Sequence, residues 1–434
     1  MIEQPPKIRQ YNVAELTHLL QNEDINNLVL DINSKYLYWS DIKYKQLPDG
    51  LTPLKLWECV KFTRTGQMLL LWGKYNLKVP FTPAMQSMCH DLDMEFGGFW
   101  GSSSKVDERT RQHYLVSSVM EEAIASSIME GASTTRRKAK EMLRKGITPK
   151  TKSERMVFNN YESIRFIIDH RNDALTTELI LTLHKNMTRG TLDDSADEGR
   201  FRDNDEVVVV DGVTNEVFHD PPHFEDIPQA IELVCRLFNN QEPRMYIHPI
   251  LKGIIIHFII SYVHPFVDGN GRTARALFYW YLLKSDYWLI QYISISKIIA
   301  SSKRQYEKSF LYVENDGNDL GYFIVYNLRV LDLAFKDLKS YIERKSKEME
   351  AISSFEKRGN INRRQAEILQ TFLTKPTYTY SIKELTTMTG VTRQTMQTDV
   401  NRLVEMGALK RIRVDGKQSL YGKGDKYENF LQEK

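Results

Sequence analysis

Apolar residues recur at three- and four-residue steps through "YLVSSVMEEAIASSIME", Tyr114 to Glu130, and the pattern stops at Gly131. That spacing predicts an amphipathic helix with a glycine just past its end. The same period predicts helices near 151–170, 177–188, 227–240, 250–263, 271–284 and 322–350. "ILKGIIIHFIISYV", Ile250 to Val263, is the most apolar run, but it is too short to span a bilayer and carries Lys252 and His257. It reads as a buried helix, and no membrane partner is expected. One stretch breaks the helical rule. "EVVVVDGVTNEVFHD", Glu206 to Asp220, is β-branched around an Asp211-Gly212 turn and predicts a β-hairpin, which inside a helical domain suits a flap. Before residue 107 the pattern is mixed: "YLYWSDIKY" and "QMLLLWGKY" suit short strands or compact helices in a small N-terminal module of unassigned role.

The 434 residues allow two to four domains. Cys59, Cys89 and Cys235 are too scattered for a disulfide framework, which fits a reducing compartment. The N-terminal "MIEQPPKIRQ" has no apolar signal region, so a cytoplasmic protein is expected. Net charge is only +3, yet residues 355–434 alone carry +6, which separates a basic tail from a slightly acidic body. The expected organisation is mainly α: an N-terminal module (1–106), a helical core with a hairpin flap (107–345), a charged linker (346–360) and a C-terminal domain (361–434).

"HPFVDGNGRTAR", His264 to Arg275, carries the chemistry. Pro265 disfavours helix at His264 and marks a break after the apolar helix. Gly269 and Gly271 free the backbone to turn tightly, so successive N–H groups can face one concavity at the start of the next helix, a phosphate site. Arg272 and Arg275 are three apart and can both clamp a polyphosphate. Asp268 suits Mg²⁺, and His264 suits proton abstraction from a hydroxyl. Base, metal and anion site together meet the needs of phosphoryl or nucleotidyl transfer.

This stretch resembles the Fic family signature HxFx[DE]GNGRxxR at every specified position, and the likeness extends over the helical core at about 107–345. The resemblance implies a Fic fold and AMP transfer from ATP, with Mg²⁺, to a Ser, Thr or Tyr hydroxyl of a protein. It implies His264 as general base, Phe266 as the anchor of the loop, and Asp268 as metal ligand. Asn270 with the Gly269 and Gly271 backbone would hold α- and β-phosphates, Arg272 would contact phosphates and Arg275 would position the γ-phosphate. Phosphocholine and UMP transfer also occur in the family, and the motif does not exclude them. "SSIMEG" resembles the family's inhibitory pattern [S/T]xxxE[G/N] through Ser126, Glu130 and Gly131, in the helix 114–131. A carboxylate there can pair with Arg275 and remove the γ-phosphate clamp. "GRFR", Gly199 to Arg202, and the hairpin 206–219 fall where the family has its flap, an edge for docking a protein substrate. Tyr306 and Asn315 lie in a segment like the family's adenine side.

The tail reads as helix, a turn at Gly390, helix, and a hairpin around Asp415-Gly416, and it resembles a winged helix-turn-helix. Arg393, Gln394 and Gln397 would then meet DNA, with Lys410, Arg411, Arg413 and Lys417 on the wing. Protein docking and homodimer formation are the other uses of such a module. Three functions stay open at this point: an autoinhibited protein adenylyltransferase, a DNA-binding regulator with a nucleotide-sensing Fic core, and an enzyme that removes AMP.

Overall fold

The computed structural model describes residues 2–102, 108–210, 217–241, 246–359, 361–374, 378–389, 391–414 and 418–430. The chain divides into two compact units, Met1–Leu338 and Lys339–Lys434.

The centre of the first unit is a pair of helices, Pro249–Val263 and Asn270–Lys284. Thirteen of the fifteen residues of the first are buried, so it has no solvent face and its apolar pattern cannot be one-sided. His248 caps it and Pro249 occupies the first turn, where a missing N–H is harmless. Gly253 lets the second helix approach closely: a Cβ there would lie 3.3 Å from Phe278. Each fully buried Ile or Phe of this pair contributes roughly 1.5–3 kcal/mol of apolar burial. Helices Glu108–Met129, Lys152–Asp169, Thr177–Thr188 and Ile227–Phe238 surround the pair. Thr151 and Glu154 form a reciprocal capping box that fixes the start of one of them.

Residues 1–106, expected as a separate module, belong to the same compact unit as the core. The ties are polar and long in sequence. Lys61 pairs with Asp316 at 2.8 Å and Asp319 at 3.0 Å, Tyr36 donates to Asp319, and Arg64 donates to the Tyr322 hydroxyl. The segment "YLYWSDIKY" supplies a short helix, Trp39–Ile42, whereas "QMLLLWGKY" supplies a strand, Met68–Trp72, antiparallel to Leu77–Pro80.

The expected hairpin is shorter than its β-branched pattern: Val209–Val210 pairs with Val217–His219. Its Asp211-Gly212 turn lies outside the described residues. The charged segment 346–360, expected as a linker, is helical through Gly359, because helix Gly321–Gly359 continues across it. Lysines and glutamates are good helix formers, so charge alone does not end a helix.

The second unit packs helices Arg363–Thr374, Ile382–Thr389 and Arg393–Glu405 with a three-stranded antiparallel sheet in the order 380–381, 418–423, 409–414. Phe372, Leu385, Met396, Val400 and Leu403 fill its core. Arg393 and Gln394 are exposed, but Gln397 is half-buried and bonds Asn401 and the Tyr421 hydroxyl. Arg411 turns to Ser419, while the Arg413 side chain, Lys417, Gly390 and the Asp415-Gly416 turn lie outside the described residues. Among the described residues no helix is long and apolar enough to cross a membrane.

Candidate functional site

The apolar helix ends at Val263, and His264 takes a left-handed conformation (φ 49°) as its cap. Its Nδ1 lies 2.9 Å from the Ser261 carbonyl. A carbonyl only accepts, so Nδ1 carries the proton and Nε2 is left with its lone pair. Burial holds the imidazole below its usual pKa of 6.5, although the Ser261 carbonyl acts in the opposite direction, so the neutral, basic form persists at neutral pH.

Two side chains far away in sequence hold this turn. Arg202, buried, donates to the carbonyls of His264 and Val263, and its own N–H meets the Pro265 carbonyl. His184 stacks on Phe266 with centroids 3.7 Å apart and planes 3° apart, while its Nε2 donates to the Asp268 carbonyl and its Nδ1 accepts from Gly199 N–H. Burial pushes His184 down to about 4, so it stays the neutral brace that this pattern needs. Phe266 is fully buried, as an anchor should be. Both ends of the Asn270 amide bond the Phe266 backbone, at 2.9 and 2.7 Å, so its side chain braces the loop while one Nδ2 hydrogen and the backbone N–H stay available to phosphate.

Gly269 (φ 85°) caps the next helix, and a Cβ there would lie 2.9 Å from Thr188 Cγ2. The N–H groups of Asn270, Gly271 and Arg272 open that helix and have no partner within it. Arg272 is 1% exposed, yet its Nε and Nη2 have no hydrogen-bond partner among the described residues, and Nη2 only approaches Asp268 at 3.5 Å. A buried cation with unused donors beside free N–H groups is a socket for an anion. The residues therefore fit a nucleotide polyphosphate. Asp268 is half-exposed, with one oxygen on Gly269 N–H. A single carboxylate beside phosphate oxygens is a sufficient protein contribution for Mg²⁺.

Arg275 is already taken. Its Nε donates to Ser126 Oγ at 2.9 Å, and Nη2 donates to the Ser126 carbonyl and to Glu130 Oε1 at 2.9 Å. Helix Glu108–Met129 delivers Glu130 through a Schellman turn: Gly131 (φ 90°) donates to Ile128 and Ala132 donates to Ser127. Burial raises the Glu130 pKa, but Arg275 and then Arg272 outweigh it, so the carboxylate stays ionised. Glu130 also blocks a second point that the sequence did not show. A Cβ on Gly271 would collide with its Oε1, so the carboxylate sits on the positive end of the motif helix.

A cavity of about 500 Å³ joins His264, Gly271, Arg275 and Glu130 to the hairpin and to helix Lys303–Asn315. That helix turns Tyr306, Phe310 and Glu314 into the cavity, four residues apart along one face. Tyr306 lines this cavity, with its hydroxyl on His257. Asn315 does not. Nine residues at about 100° each place it opposite Tyr306, where it bonds the Leu311 carbonyl and lines a different cleft beside Asn76 and Lys78. Glu314 was missed, and counting fours from Tyr306 would have found it. It pairs at 2.8 Å with Nδ1 of His219 on the hairpin, whose Nε2 meets the Tyr262 carbonyl. Burial opposes charge on His219, but Glu314 and that carbonyl raise its pKa on balance.

Residues 174–282 match the family model described as Fic/DOC family. The match contains the whole His264–Arg275 motif and stops short of Glu130 and Tyr306. Proteins named protein adenylyltransferase Fic from Drosophila melanogaster and Drosophila mojavensis are each 29% identical over 168 residues, 39% of this chain. The chain spans about 30% of the length of these relatives. A Fic family protein from Desulfovibrio desulfuricans G20 superposes with a TM-score of 0.50 at 18% identity, covering 80% of this chain and 97% of that one. That breadth extends the fold likeness well beyond the matched Fic residues.

Proposed function

We propose that this protein is a protein adenylyltransferase that transfers AMP from ATP to a Ser, Thr or Tyr hydroxyl and is held inactive by Glu130. The observation that carries this reading is the 2.9 Å contact of His264 Nδ1 with the Ser261 carbonyl, which leaves Nε2 unprotonated on a residue that lines the same cavity as Gly271 of the motif helix. The target hydroxyl oxygen attacks the α-phosphorus, Nε2 takes the hydroxyl proton, and the bond to pyrophosphate breaks. Arg272 and the N–H groups of residues 270–272 hold the phosphates. Asp268 would hold Mg²⁺, which when bound would neutralise phosphate charge. Arg275 must leave Glu130 to orient the γ-phosphate, so ATP bound beside the intact pair is misplaced for in-line attack. The strand pair 209–210 and 217–219 offers an edge on which a target segment can be laid by strand addition.

The C-terminal unit is read as a winged helix that approaches nucleic acid with Arg393 and Gln394 on helix Arg393–Glu405. Their exposure supports that role, while Gln397 is engaged inside the unit. The test of the enzymatic reading is incubation of the Glu130→Gly form with labelled ATP and cell lysate. Labelled protein is expected, and none is expected once His264→Ala is added. Labelling that survives His264→Ala contradicts the reading.

A further inference from the structure

Glu122 and Ser126 lie four residues apart on one face of helix Glu108–Met129, Glu130 follows four further on in the turn past its end, and Arg275 and Tyr279 lie four apart on the motif helix. The two faces meet rung by rung. Glu130 and Ser126 take Arg275, and Glu122 accepts from the Tyr279 hydroxyl at 2.8 Å. Glu122 is 4% exposed and far more heavily bonded than Glu130. Its Oε2 also accepts from Ser294 Oγ at 2.9 Å and from Ser296 N–H at 3.0 Å, and its Oε1 accepts from Ser296 Oγ. Four donors from two segments therefore converge on one carboxylate.

We propose that Glu122 is the positioning residue that sets the register of helix Glu108–Met129 on the motif helix and so delivers Glu130 to Arg275. This rests on the reading that Glu130 inhibits. The apolar contacts of the helix, through Val119, Ala123 and Ile124, attract without direction and tolerate sliding. Hydrogen bonds to a buried carboxylate do not. A slip of one residue rotates the helix by about 100° and shifts it by about 1.5 Å. That leaves the charge unpaired and the donors of Tyr279, Ser294 and Ser296 without an acceptor, which no neighbouring register repairs. Glu130 itself sits in the turn beyond the helix end, where fraying is easiest. The fixed point lies two turns earlier.

The experiment uses the full chain carrying Glu122→Gln or, as the milder change, Tyr279→Phe. Amide exchange is read at Gly131 and Ala132, together with basal AMP labelling. Both variants are expected to exchange faster there and to label roughly two- to thirty-fold more. Neither should add to the labelling of Glu130→Gly, because register matters only while Glu130 is present. If Glu122→Gln is poorly folded, Tyr279→Phe carries the comparison. Unchanged exchange at Gly131 and Ala132 overturns the proposal, as does a labelling change that simply adds to that of Glu130→Gly. Should Glu130→Gly fail to raise labelling, the inhibition reading falls, and exchange alone decides: acceleration upholds the register role and its absence removes it.

Discussion

Replacing Glu130 by glycine removes one carboxylate from two places at once, the Arg275 guanidinium at 2.9 Å and the start of the motif helix beside Gly271. A charge-assisted hydrogen bond contributes about 1.5–3 kcal/mol. The Glu130 side chain is 25% exposed, so solvent screening favours the lower part of that range. Taking about 2 kcal/mol, and 1.4 kcal/mol for each tenfold, the fraction of molecules with Arg275 open to a γ-phosphate rises by about 30-fold. Ser126 continues to satisfy Arg275 through its Oγ and carbonyl, so the variant should fold with only a small loss of stability. The assay is AMP incorporation from labelled ATP at subsaturating nucleotide, with His264→Ala as the blank. Glu130→Gln is the graded control: it keeps the volume, loses the charge and should fall between the two. Incorporation that stays at the wild-type level in Glu130→Gly, with the protein folded, refutes the argument that this pair limits the reaction.

With His264 as the proposed base, its lowered pKa should set the acid limb of activity in the Glu130→Gly form. Only the neutral imidazole can take the proton, so kcat/KM should hold as pH falls through 6.5 and drop only below it, further still because the raising influence of Glu130 is gone; a limb at or above 6.5 contradicts this. His219 runs the other way. Its raised pKa means that the ion pair with Glu314 stabilises the hairpin fully below about 6.5 and is lost as pH rises through the raised value, which faster amide exchange of Val217–His219 should report beyond the ordinary rise with pH. Gly271→Ala places a methyl group against Glu130 and in the phosphate socket, so it should abolish labelling even in the Glu130→Gly form, where relief of the clash alone would spare it. Phe266→Ala empties a fully buried position stacked on His184 and should destabilise the protein by roughly 3–5 kcal/mol, seen as a fall in Tm; a change under 1 °C contradicts the anchor role.

Helix positions were legible because caps and apolar period agree locally, as in Thr151–Glu154 and in the run from Pro249 to Val263. The motif residues were legible because twelve consecutive residues carry side chains suited to a base, a metal ligand and an anion site. Arg202 and His184 were not, since their roles lie in carbonyls 62 and 84 residues away that no local pattern connects. Asn315 was misplaced through register: one residue on a helix is 100°, enough to exchange it for Glu314. Asn270 reads as a phosphate ligand because an amide can donate, and its additional bracing of the Phe266 backbone was not legible from that. The linker failed for a different reason. Polar, charged sequence suits an exposed helix as well as a coil, and nothing in residues 346–359 breaks one.

The proposed function requires AMP transfer from the socket at the motif helix to a hydroxyl whose proton His264 takes. The most direct measurement supplies the Glu130→Gly form with ATP labelled at either the α- or the γ-phosphate and follows label into protein. The α-label should enter protein, depend on His264 and leave the γ-label in released pyrophosphate. Entry of the γ-label, or of α-label in the His264→Ala form, would contradict the account.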